Sequence, residues 1–195
     1  MQETATISSS SGEAEERGAS PSADRRLLIG GRLVETERTF PSLNPATGEV
    51  LGFAPDATVD DARAAVAAAR QAFDTTDWST NTELRIHCLE QLHQALVDHR
   101  DEFAALTIAE VGATESLCQG AQLDAPIAIV QYYADLLKTF SMTEDLGNIE
   151  SRGMQHHRWI EKEAGGVAAA IIAYNYPNQL ALAKLAPALA AGCTV

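Results

Sequence analysis

Between Val59 and Leu137 apolar side chains return every three or four positions, while on either side of that block the spacing is shorter or the runs are continuous. The first pattern predicts amphipathic helices and the second predicts strands. Leu27-Leu28-Ile29, Gly30-Gly31 and Arg32-Leu33-Val34 together read as a hairpin, because paired glycines tolerate the positive φ of a tight turn. A second pair of strands is expected around Asn44-Pro45-Ala46-Thr47-Gly48, a run of turn formers. A helix from Asp60 to about Phe73 follows, capped by Thr58 with Asp61 closing the box, and Val59, Ala62, Val66, Ala69 and Phe73 share its apolar face. Thr80 and Glu83 repeat that start signal for a helix to about His99. A third helix passes through Phe103, Leu106 and Val111 to stop at Gly112. After a shorter helical stretch around Leu117, Asp124 and Pro126 open another, with Ile127, Val130, Ala134 and Leu137 as its buried stripe.

Beyond this point the rhythm changes. Gln155 to Glu163 predicts an exposed or edge strand, with Trp159 among polar neighbours, and Val167 to Ala173 predicts a strand buried on both faces. Asn175-Tyr176-Pro177 makes a sharp exit. Helical spacing returns from Asn178 to Ala191 through Leu182, Leu185 and Leu189, Gly192 closes the helix, and Cys193-Thr194-Val195 opens a further strand. A buried parallel strand needs neighbours on its edges and helices on its faces. One strand–helix unit and the first residues of another do not supply them, so the pattern predicts an α/β chain cut short of its sheet.

Charge narrows the partners. Fourteen basic residues against 27 acidic ones leave a net charge of −13, with no basic stripe to displace counterions from nucleic acid or to meet anionic lipid. Residues 1–26 are rich in Ser, Glu and Ala and are expected to form a disordered tail; they also lack the apolar core of a secretory signal. The most apolar tract, Ala164 to Val195, is broken by Asn175, Pro177, Asn178, Gln179, Lys184 and Pro187, so no membrane span is expected. Three cysteines without paired spacing suit a reducing compartment, and the cytoplasm is the expected location.

Most of the reactive side chains read as packing or surface residues. His87, His93 and His99 are spaced by six and spread around a helix, and His156 and His157 point to opposite faces of a strand. No metal site is expected from them. Cys88, Cys118 and Cys193 each read as a small packing residue. Glu161 and Glu163 flank Lys162 on a solvated edge. Gly165-Gly166 precedes its strand and so is no dinucleotide fingerprint. Asn175 stands where open α/β sheets bind ligands, though by residue type alone a turn role is favoured.

A resemblance adds to this. The segments LNPATGEVLGFAP and DDARAAVAAARQAF, and above all GGVAAAIIAYNYPNQLALAKLAPALAAGCTV, resemble the amino-terminal portion of the aldehyde dehydrogenase superfamily. The last contains the family's first nucleotide-binding strand, a variant of its Pro-Trp-Asn-Phe-Pro turn and the lysine-bearing helix. Ala173, Tyr174 and Tyr176 replace the first proline, the tryptophan and the phenylalanine of that turn, keeping its aromatic bulk and adding hydroxyls. The resemblance implies an incomplete Rossmann-like nucleotide-binding domain with N-terminal β-hairpins and helices. It divides into strands and helices over residues 27–140, part of an oligomerisation β element over 141–163, and the first strand–helix unit over 164–195.

It further implies a nicotinamide cofactor, NAD or NADP, lined on its ribose side by Ile172, Ala173 and Tyr174, and a small aldehyde as substrate. Asn175 would donate to the oxyanion. Lys184, nine residues further on, would assist proton movement, although a side chain reaching solvent accounts for it equally. The family's nucleophilic cysteine lies in a Gly–Gln–x–Cys context that none of the three cysteines has, so the chain alone is expected to be inactive. Its general-base glutamate and the lysine that reaches the adenosine ribose are also expected beyond Val195. The complete enzyme would be a homo-oligomer. The competing expectation is a non-catalytic interaction module, or an incomplete gene product, that pairs with a homologue.

Overall fold

The computed structural model describes residues 25–195. The tail expected over residues 1–26 therefore falls, through residue 24, outside the described residues. The first described element, β1 (Arg26–Ile29), pairs antiparallel with β2 (Arg32–Glu35) and sets Leu28 opposite Leu33. Gly30 and Gly31 carry φ of 58° and 74°, the backbone that a two-residue hairpin turn demands. β3 (Thr39–Leu43) and β4 (Val50–Pro55) form the second expected hairpin. In its loop, Asn44 Oδ1 accepts from the N–H groups of Ala46 and Thr47.

Helix α1 (Val59–Thr75) starts as predicted. The Thr58 side chain accepts from the Asp61 N–H, and the Asp61 carboxylate accepts from the Thr58 N–H. Its apolar face is not covered as predicted, because none of its residues is buried, and Ala68 and Ala72 border a shallow cleft with Leu28 and Val195. The start of α2 (Thr82–Asp98) also differs. Asn81 caps it by accepting from the Leu84 N–H, while the Thr80 hydroxyl donates to the Asp77 carbonyl. The tight turn from Asp77 engages Thr80 locally, so the helix begins later than the Thr80/Glu83 spacing predicts. α3 (Arg100–Val111) ends at left-handed Gly112, and α4 (Glu115–Cys118) is a single turn. In α5 (Asp124–Leu137) the predicted stripe of Ile127, Val130, Ala134 and Leu137 is buried.

The main core lies where α2, α5 and α6 (Pro177–Ala190) meet. Ile86 and Leu89 pack there with Val130, Ala134, Leu137, Leu182, Ala186 and Ala190. A smaller cluster of Ala104, Ala113, Cys118, Leu123 and Ile127 joins α3, α4 and α5. Arg85, only 1% exposed, locks the chain end to α2. Its guanidinium donates to the carbonyls of Ala190 (3.1 Å) and Trp78 (2.8 Å) and to the Thr82 hydroxyl (3.0 Å). These three bonds satisfy a cation that burial alone would penalise. Trp78 Nε1 donates to the Cys193 carbonyl, and the Thr194 hydroxyl donates to the Ala69 carbonyl. At Gly192, with φ of 88°, an added Cβ would sit 2.9 Å from the Ser79 carbonyl oxygen, so only glycine fits this close approach.

Two strand expectations change. The predicted edge strand is β6 (Met154–Glu161), and it pairs with β5 (Thr143–Ser151), which hydropathy does not announce because polar residues occupy both of its faces. Every β6 side chain is exposed. Val167–Ala173, predicted as a buried strand, forms no strand and is almost unpaired, with a single parallel bridge from Val167 to Thr194. Ile171 is 84% exposed. A strand exists only through its neighbours' hydrogen bonds, and among the described residues Thr194 is the one partner for this run.

Candidate functional site

The candidate site is the junction between that run and α6. Pro177 occupies the first turn of α6, where its fixed φ suits helix entry and its missing N–H leaves no donor unmet. Tyr176 caps the helix through its backbone, its carbonyl accepting from the Leu180 N–H at 2.9 Å. Asn175 immediately precedes it, exposed, and its side-chain amide makes no hydrogen bond among the described residues. The amide is thus free to meet a ligand, not consumed in capping the turn.

The backbone of Asn175 is anchored. Its carbonyl accepts from Gln122 Nε2 at 2.9 Å, from the connection between α4 and α5. One turn into α6, Asn178 Nδ2 donates to the Thr107 hydroxyl at 2.9 Å and to the Gln122 carbonyl at 3.1 Å. Sequence reasoning did not find Gln122, Thr107 or Asn178 as site residues. The long-range pairing that gives them meaning is invisible along the chain.

Ile172, Ala173 and Tyr174 are all exposed, with Tyr174 at 90%. From Ala169 to Tyr174 no backbone N–H or C=O forms a hydrogen bond with another described residue. The three residues therefore present open main chain beside Asn175. Lys184 sits on α6 between buried Leu182 and Ala186, yet its own side chain is exposed and makes no bond to Asn175. No buried cation needs a partner there.

The remaining candidates assemble nothing. Cys118 is fully buried, and burial pushes its thiol pKa up, away from thiolate. Cys88 and Cys193 are half-buried free thiols. His157 lies 2.9 Å from Asn148 Oδ1 and 3.4 Å from Asp145 on the exposed hairpin, and no metal-holding cluster exists among the described residues. No helix among them is long and apolar enough to cross a membrane.

A hairpin-and-helix layer carrying the start of a parallel α/β unit, with an amide displayed at the strand-to-helix turn, defines a class: the opening of a Rossmann-like nucleotide-binding fold. Residues 33–195 match the Aldehyde dehydrogenase family, and the chain belongs to it, corresponding to the family's N-terminal portion. Betaine aldehyde dehydrogenase of Vibrio vulnificus is 33% identical over 84% of this chain and 33% of its own length. Aminoaldehyde dehydrogenase 2 of Zea mays is 35% identical over 87% of this chain and 34% of its own. Among solved structures, Mycobacterium tuberculosis aldehyde dehydrogenase complexed with NAD+ superposes with a TM-score of 0.78 at 32% identity, covering 87% of this chain and 35% of that one. The chain spans about a third of the length of the relatives it matches.

Proposed function

We propose that this chain is the amino-terminal part of an NAD(P)-dependent aldehyde dehydrogenase that oxidises a small aldehyde to its carboxylic acid. One observation carries the reading: the unspent Asn175 amide, exposed beside the open main chain of Ile172–Tyr174. In the complete enzyme a cysteine thiolate from another part of the protein adds to the aldehyde carbon, and the former carbonyl oxygen becomes an alkoxide. Asn175 Nδ2–H donates to that oxygen. An amide suits the task because it donates without titrating, and such a preorganised donor contributes on the order of 3 kcal/mol. Ile172, Ala173 and Tyr174 hold the ribose side of NAD or NADP, which when bound serves as the oxidant. The exposed main chain and absence of bulky side chains at Ala173 fit such a group. Lys184 moves protons near the site.

The exposed β5–β6 hairpin supports a role for residues 141–163 in homo-oligomer formation, with residues 27–140 backing the cofactor domain begun by 164–195. The protein works in the cytoplasm, without nucleic-acid or membrane partners. The unpaired edge at Ala169–Tyr174 favours a second reading, a non-catalytic module that pairs with a homologous chain. An in-frame Gly–Gln–x–Cys segment downstream of Val195 supports the enzyme; a stop codon with soluble, monodisperse 195-residue protein supports the module. In the complete enzyme, Asn175→Ala lowers kcat about a hundredfold or more, and unchanged turnover by folded protein reduces Asn175 to a turn residue. The isolated chain shows no cofactor reduction with an aldehyde panel, and turnover above blank overturns the assignment of the nucleophile elsewhere.

A further inference from the structure

Gln122 takes no part in the chemistry above, yet it is 3% exposed and spans from the α4–α5 connection to the turn of Asn175. Reversing its amide would set oxygen against the Asn175 carbonyl oxygen, acceptor to acceptor, so Nε2 is the atom that donates. Its Oε1 is buried with no hydrogen-bond partner among the described residues. A side chain kept only to fill space would be better as leucine or methionine, because a buried orphan acceptor is costly. What the glutamine supplies that those residues cannot is the single donor aimed at Asn175.

That donor is the one polar tie to residues 169–175 apart from the bridge at Val167–Ala168, among the described residues. It is also held firmly from behind. The Gln122 N–H donates to the Leu117 carbonyl at 2.9 Å, and its neighbour Leu123 is 1% exposed. The Gln122 carbonyl accepts from Asn178, which donates as well to Thr107 Oγ1, and the Thr107 hydroxyl donates in turn to the Phe103 carbonyl at 2.7 Å. α3, the α4–α5 connection and the first turn of α6 are thereby locked together around one carbonyl. The bond from Gln122 to the Asn175 carbonyl fixes the peptide plane after Asn175 and with it the Cα from which the Asn175 side chain leaves, which narrows where its amide can reach.

We propose that Gln122, backed by Thr107 and Asn178, is a positioning residue that aims the Asn175 amide; its catalytic consequence rests on the donor role proposed above. Two variants test it. Gln122→Leu removes the donor. Gln122→Glu keeps the shape but donates only when its carboxyl is protonated, which burial favours. In the 195-residue chain, ¹⁵N relaxation of the Asn175 side-chain and Tyr176 backbone amides reads order at the turn, with Leu89 and Ala186 amides reporting the core. Gln122→Leu loses order at Asn175 at every pH, and Gln122→Glu loses it only as the pH rises through the titration of the introduced carboxyl. Asn175 order equal to wild type in folded Gln122→Leu, or in folded Gln122→Glu once that carboxyl is ionised, overturns the proposal, and so does loss of the whole fold in both. Thr107→Val, which removes the acceptor behind Asn178, gives a smaller loss of the same kind.

In the complete enzyme, Gln122→Leu lowers kcat between about tenfold and a hundredfold with the aldehyde KM little changed, as expected when a transition-state donor is misaimed. Full kcat in Gln122→Leu together with a depressed Asn175→Ala overturns the positioning role alone. Full kcat in Asn175→Ala overturns the donor reading, while the relaxation measurement still decides whether Gln122 orders the turn.

Discussion

Two apolar stretches lie side by side near the carboxyl end and meet opposite environments. α6 buries Leu182, Ala186 and Ala190 in the main core, whereas Ile171 and Ile172, only a few positions earlier, stand 84% and 46% exposed. Hydrophobicity does not separate them. A helix satisfies its backbone internally and needs only a face to pack against, which α2 and α5 provide. A strand needs partners along both edges before its side chains can be covered, and within this chain Thr194 is the only described one. The contrast also bears on the site proposed for Asn175. The turn of Asn175 is fixed on its helical side and open on its strand side, which suits a group that must be both aimed and reachable.

The contrast can be broken most severely at its buried end. Leu89→Ala, at a side chain 1% exposed, lowers the unfolding free energy by about 3 kcal/mol in urea denaturation. Ile171→Ala changes it by less than about 0.5 kcal/mol in the same experiment. Equal losses at the two sites would mean that the run is covered in solution after all. Next in size is Arg85→Met, which strands the Ala190 and Trp78 carbonyls and costs about 2 kcal/mol, seen as a lower denaturation midpoint with an unchanged slope. A neutral result would assign the α2–α6 joint to apolar packing alone.

Smaller effects sharpen the comparison at α1, a helix with no fully buried residue. Thr58→Ala removes its cap at a cost of about 1 kcal/mol, and hydrogen exchange shows the first turn of α1 opening while α5 stays protected. Smallest is the pH effect at the same cap. The Thr58 backbone N–H, and then its hydroxyl, hold the Asp61 carboxyl below its ordinary value. The cap contribution is therefore complete above the ordinary aspartate range and is lost as the pH falls through the lower folded value. Amide shifts of Thr58 and Asp61 followed through an acid titration check this, and invariance means that the box is not formed in solution.

Much of this was legible along the chain because it rests on local rules. The Gly30-Gly31 hairpin, the Thr58/Asp61 box, the Gly112 stop and the α5 stripe each depend on residues within one or two turns of one another. The failures share a cause as well. Thr80 lost its capping role to the turn at Asp77, and β5 carried no alternation because neither of its faces is buried. Asn175 was proposed from its turn and its family likeness. Gln122 and Thr107 were not, since a contact across 53 residues or one across 71 leaves no periodic trace.

Residue order alone settled which segments become helix and where the first two hairpins turn, because those outcomes depend on neighbours a few bonds away. Whether an apolar run is buried, which residues hold the exit in place and which thiols are sealed away depended on segments brought together from far along the chain. Burial and hydrogen-bond satisfaction belong to the assembled packing, and no window of sequence contains them.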